Sequence, residues 1–132
     1  MANEYADQTT LRSPLGRVRG LGSARSGTHH WWLQRVTSAL LLPLTIWFAL
    51  SATLLAGASH AETVAWIARP HNAVLLLATI GLSFHHFAAG MQVILEDYVN
   101  QEWLRMGAIL AVRTISALLA LASALAVLRI AV

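Results

Sequence analysis

Three apolar blocks, each about 20 residues long, constrain this chain more than any other feature, because a stretch of that length spans the hydrocarbon core of a bilayer as a helix. They run over about 36–58, 73–95 and 105–128 of the 132 residues. The chain is 57% hydrophobic with a mean hydropathy of +0.59, and the apolar residues are gathered into these blocks instead of alternating with polar ones. The expected fold is therefore an all-α membrane protein with three transmembrane helices. Three helices enclose little interior by themselves, so polar stripes on them imply further helices from another chain, packed with these into one bundle.

Two regions follow. Residues 1–28 read as a polar arm, rich in Gly and Arg and without apolar period, and residues 29–132 as the transmembrane part. The net charge of +3 comes from arginine alone, and Arg12, Arg17, Arg19 and Arg25 all precede the first block. Positive charge next to a first span places that end in the cytoplasm. This orientation puts the Gly57–Pro70 loop outside and the Glu96–Arg105 loop inside, as in a multi-pass membrane protein with a cytoplasmic N-terminus. No cleavable signal peptide is expected, since the apolar stretch starts too late. Gly16–Gly22 carries glycines without a preceding strand, which argues against a phosphate loop. With no cysteine, thiolate iron–sulfur ligation and a cysteine nucleophile on this chain are excluded. No repeat or inverted pair of broken helices suggests a secondary transporter.

The second block holds the residues that need a functional reason. It carries His85 and His86 near mid-depth and ends in Glu96-Asp97-Tyr98, and ionisable groups at such depth are costly unless they serve a site. His86 and Asp97 are eleven positions apart, which on a helix is roughly 16 Å of rise and nearly whole turns. They share a stripe with Thr79, Ser83 and Gly90, small and polar residues of the kind intramembrane helices turn toward partners. His85 points about a quarter turn away. Imidazole suits haem iron, and no other histidine of this chain lies at mid-depth on another span, so a second axial ligand would come from a partner.

Before the first block, Thr28-His-His-Trp-Trp-Leu-Gln-Arg-Val-Thr37 sets two tryptophans at the headgroup level. Arg35 follows one turn on, either snorkelling to the surface or binding an anion such as a cofactor carboxylate. Arg113 in the third block has the same two readings, with Asp97 as another possible partner. His60, His71 and Arg129 are assigned no site.

These residues resemble the small hydrophobic membrane-anchor subunits of succinate dehydrogenase, respiratory complex II. The likeness covers most of the chain: His29-x5-Arg35-x-Thr37, three spans, and His86-x3-Gly90-x6-Asp97-Tyr98. The resemblance implies that His86 is one axial ligand of haem b, the other lying on a second, cytochrome b, anchor subunit. It implies a ubiquinone site with Tyr98 donating to a quinone carbonyl, Asp97 beside it and Arg35 nearby, and haem propionates met by Arg35, His29 and Arg113. It further implies an iron–sulfur subunit and a flavoprotein subunit docked on the cytoplasmic side, with no succinate-oxidising chemistry on this chain alone and no role for nucleic acid. The doubled histidine departs from the pattern, and His86 is favoured over His85 by the motif and the shared face. The alternatives are the anchor of a fumarate reductase, a non-redox membrane scaffold, and a small ion-conducting protein using the His86–Asp97 stripe.

Overall fold

The computed structural model describes residues 27–132. The arginine-rich arm of residues 1–26 and its expected extended conformation lie outside the described residues. The chain divides into two compact units, residues 1–31 and 32–132. Of the first, only Gly27–Trp31 is described, and its backbone is already helical.

Among the described residues four helices follow one another: α1 Gly27–Leu54, α2 His60–Ile67, α3 Pro70–Tyr98 and α4 Glu102–Ala131. Helices α1, α3 and α4 are each long and apolar enough to cross a membrane. At 28, 29 and 30 residues they reach about 42–45 Å, against a hydrocarbon thickness of about 30 Å. They therefore extend past the apolar blocks. Helix α1 starts at Gly27, well before position 36, and Thr28 to Gln34 contains no proline or glycine to stop it. Pro43 sits inside α1 without ending it, as intramembrane proline commonly does.

The segment expected to be a plain outer loop holds a helix. Gly57 turns the chain with φ 88, a conformation that glycine adopts without the Cβ penalty. Ser59 then caps α2: its hydroxyl accepts from the Glu62 amide, and the Glu62 side chain accepts from the Ser59 amide. This reciprocal box satisfies donors that a helix start otherwise leaves open, which is why eight residues form a helix here. Glu62 also accepts from the Ser59 hydroxyl at 2.8 Å. The Ser59 backbone bond, then the hydroxyl bond, hold the Glu62 carboxyl below its ordinary value. Asn72, 3% exposed, donates to the Trp66 carbonyl at 2.8 Å and ties α2 to the start of α3. Trp66 stacks on Trp47 of α1, centroids 5.7 Å apart.

Pro70 occupies the first turn of α3, where its missing N–H costs nothing. Only residues 99–101 separate α3 from α4, a connection short enough to make the two helices antiparallel neighbours. They form the most extensive helix pair in the structure. Among the described residues the buried positions are Thr37, Ser51, Asn72, Ala73, Leu76 and Ser116, nearly all small or polar. This is how helices pack in lipid, where there is no apolar driving force between them and close backbone approach decides. Large apolar side chains instead face outward, among them Leu42, Leu54, Val74, Leu110 and Leu118.

Candidate functional site

The site is built where α1 meets α3. His86 stands 16 positions into α3 and 12 before its end, near mid-depth. Its Nδ1 lies 3.0 Å from the hydroxyl of Thr37 on α1. Thr37 is 5% exposed, and its hydroxyl also donates to the carbonyls of Leu33 at 2.8 Å and Gln34 at 3.1 Å. A helical threonine reaches those carbonyls because its Oγ1 can fold back over the preceding turn. The other ring nitrogen of His86, Nε2, makes no hydrogen bond with the described residues.

One turn further along α3, Gly90 faces the same helix. A Cβ built there would stand 3.4 Å from Nε2 of Gln34, so the space left by the glycine is used by the side chain one turn before Thr37. Contact across α1 and α3 is thus made by two polar side chains of α1, at Thr37 and Gln34, against an imidazole and a glycine.

Other sequence-derived candidates fall at different places. His85 is exposed, as its quarter-turn offset requires. Arg35 is exposed and stands about 200° around α1 from Thr37, at nearly its level along the axis. Since Thr37 touches His86, Arg35 lies near the level of that imidazole along the helix axis. His29 is exposed. Asp97 and Tyr98 are exposed at the end of α3, Tyr98 at 82%, about 16–18 Å along the axis from His86. Arg113 meets neither a lipid-edge position nor Asp97: it donates to Oε1 of Gln92 on α3 at 2.5 Å, and Gln92 donates through Nε2 to Glu96 at 2.6 Å. Its guanidinium and the Glu96 carboxylate are linked through a neutral amide.

Besides Gln34, three residues carry features that spacing in the sequence does not reveal. Thr37 was noted only as part of a motif, and the pairing with His86 across 49 positions has no periodic signature. Gln92, two positions past Gly90, bridges two helices, and only its depth in an apolar span hinted at that. His30 is half-buried, and its Nε2 is the one buried side-chain polar atom among the described residues with no hydrogen-bond partner. No group of three or more His, Asp or Glu side chains is arranged to hold a bare metal ion among the described residues. A single imidazole with one engaged nitrogen and one open nitrogen is instead the donor set of an axial haem ligand, whose partner bond orients the ring. The residues fit that group.

Three membrane-length helices with a histidine hydrogen-bonded between two of them define a polytopic helical membrane protein. Residues 9–125 match the family of succinate dehydrogenase/fumarate reductase transmembrane subunits. The chain is similar to the succinate dehydrogenase hydrophobic membrane anchor subunit of Rickettsia bellii, 38% identical over 118 residues that cover 89% of this chain and 94% of the relative. It is similar also to the membrane anchor subunit of Reclinomonas americana, 33% identical over 70% of this chain and 79% of the relative. The Paracoccus denitrificans anchor subunit is 30% identical over 65% and 67% of the two chains. No solved structure matches. The chain belongs to the succinate dehydrogenase/fumarate reductase transmembrane subunit family, as a membrane anchor of that complex.

Proposed function

We propose that this anchor supplies one axial ligand of a haem b through His86 and part of a ubiquinone-reduction site through Tyr98 and Asp97, while Arg35, about 14–15 Å along the axis from that pair, serves the haem side. The observation that carries the haem assignment is the engagement of His86 Nδ1 by Thr37, which leaves Nε2 as the nitrogen for iron. When bound, haem supplies a one-electron carrier inside the membrane. A second anchor subunit gives the other ligand and completes the bundle, and the outward apolar faces of α1, α3 and α4 leave room for its helices. The relatives are named as subunits of succinate dehydrogenase, which favours succinate oxidation with quinone reduction over the fumarate reductase direction. Iron–sulfur and flavoprotein subunits hold the soluble chemistry, and this chain keeps them at the bacterial inner membrane, with its N-terminus in the cytoplasm.

At the end of α3 the exposed Tyr98 phenol donates a hydrogen bond to a quinone oxygen. That bond strengthens as the oxygen gains negative charge on reduction, so it favours the reduced state. Asp97 beside it orients the phenol or passes a proton. Arg35, near the level of His86, and Arg113 and His29 offer positive charge or N–H donors to haem carboxylates, which would otherwise stand in lipid without a counter-charge.

Replacing Tyr98 with Phe in the complete complex tests the quinone assignment. Quinone reduction falls by about 10²-fold or more, the loss expected for one preorganised donor, while succinate oxidation by an artificial soluble acceptor persists. Equal loss of both activities, or of neither, contradicts the assignment.

A further inference from the structure

We infer that Thr37 is the positioning residue that fixes the tautomer of His86, its hydroxyl oxygen accepting Nδ1–H so that Nε2 presents a lone pair to iron. This deepens the haem reading above and rests on it. The argument is an accounting of one hydrogen. A hydroxyl has a single proton to give and two lone pairs to receive with. Around Thr37 Oγ1 stand two carbonyl oxygens, of Leu33 and Gln34, and one ring nitrogen. Carbonyls only accept, and the Leu33 carbonyl at 2.8 Å is nearer than Nδ1 at 3.0 Å. The hydroxyl proton therefore goes to the carbonyls, and Nδ1 must be the donor in the third contact.

A neutral imidazole carries one N–H. With that proton on Nδ1, Nε2 is unprotonated and can ligate without first losing a proton. Were the hydroxyl to donate to Nδ1 instead, the proton would sit on Nε2 and block it. Thr37 is 5% exposed, which leaves no room for water to take over its part. The hydroxyl also fixes the plane of the ring, because Nδ1–H must point at an oxygen anchored in the backbone turn of α1. Partners of this kind raise the basicity of a ligating imidazole, and removing them costs about 10–100-fold in metal affinity.

The test uses the complete detergent-solubilised complex carrying Thr37→Val, Thr37→Ser or His86→Ala, with haem-to-flavin ratio, haem midpoint potential and low-temperature electron paramagnetic resonance as readouts. Thr37→Val keeps the branched shape and loses the hydroxyl. It weakens haem retention by about 10–100-fold and raises the midpoint potential of the haem that remains, since a less basic imidazole supports ferric iron less well. Thr37→Ser restores both to wild type. Lowered haem content with an unmoved potential would mark a packing role and overturn the inference, as would a serine variant that behaves like the valine one. Wild-type values in Thr37→Val, in a complex whose haem depends on His86, would overturn it while leaving the haem reading intact. A wild-type complex without b-type haem, or one whose haem survives His86→Ala, would overturn both.

Discussion

Gln34 lies across Gly90: a methyl group at position 90 would stand 3.4 Å from the Gln34 amide nitrogen. That separation is van der Waals contact with the far end of a flexible side chain, so one carbon can be admitted and a longer branch cannot. The approach that sets the tip of Gln34 beside Gly90 also brings Thr37 within reach of His86 one turn away.

Gly90→Ala in the assembled complex is accordingly expected to be neutral or to gain about 0.5–1 kcal/mol from the lower backbone entropy of alanine in a helix. Gly90→Leu forces Gln34 and then α1 aside, at about 1–3 kcal/mol, the range for overpacking. Thermal unfolding in detergent checks the order, and an alanine variant as damaged as the leucine one would refute the contact.

The bridge from Arg113 through Gln92 to Glu96 predicts an asymmetry between its members. Gln92→Leu strands the Arg113 guanidinium in an apolar span without its acceptor, at a cost of about 1–3 kcal/mol. Arg113→Leu removes the charge together with its need for an acceptor on α3 and is the milder change in unfolding, its effect on the haem carboxylates being read separately as haem content. Unfolding midpoints of the two variants measure this directly, and the reverse ranking would mean that Gln92 does not serve Arg113.

Much of this architecture is legible in the residues themselves. The three spans follow from apolar length alone, and the common face of His86, Gly90 and Asp97 follows from 3.6 residues per turn. What periodicity cannot encode is which helix lies against that face, so spacing alone pairs neither Thr37 with His86 nor Gln34 with Gly90. The start of α1 is hidden for a different reason. Hydropathy marks where lipid begins, whereas the helix continues into polar Thr28-His29-His30 because nothing there breaks it. Helix α2 has its own signal in the residues: Ser59 and Glu62 have the spacing of a capping box, though the stretch is too short for any apolar period to show.

That box has a pH signature. The Ser59 amide and hydroxyl hold the Glu62 carboxyl below its ordinary value, so the contribution of the box to α2 is fully present above the ordinary glutamate range. It is lost as pH falls through the lowered folded value, because protonation removes the acceptor. Nuclear magnetic resonance of the Ser59 amide in detergent is expected to show a titration step below that range, absent in Glu62→Gln. A step at or above the ordinary value would contradict the box.

The reduced-minus-oxidised absorption spectrum of the purified complex tests the central claim most directly, with His86→Ala and His85→Ala set beside the wild type. A b-type haem signal present in the wild type and in His85→Ala, and absent from His86→Ala, is the predicted result. A signal unchanged in His86→Ala, or a wild-type complex without haem absorbance, would contradict the assignment of His86 as an iron ligand.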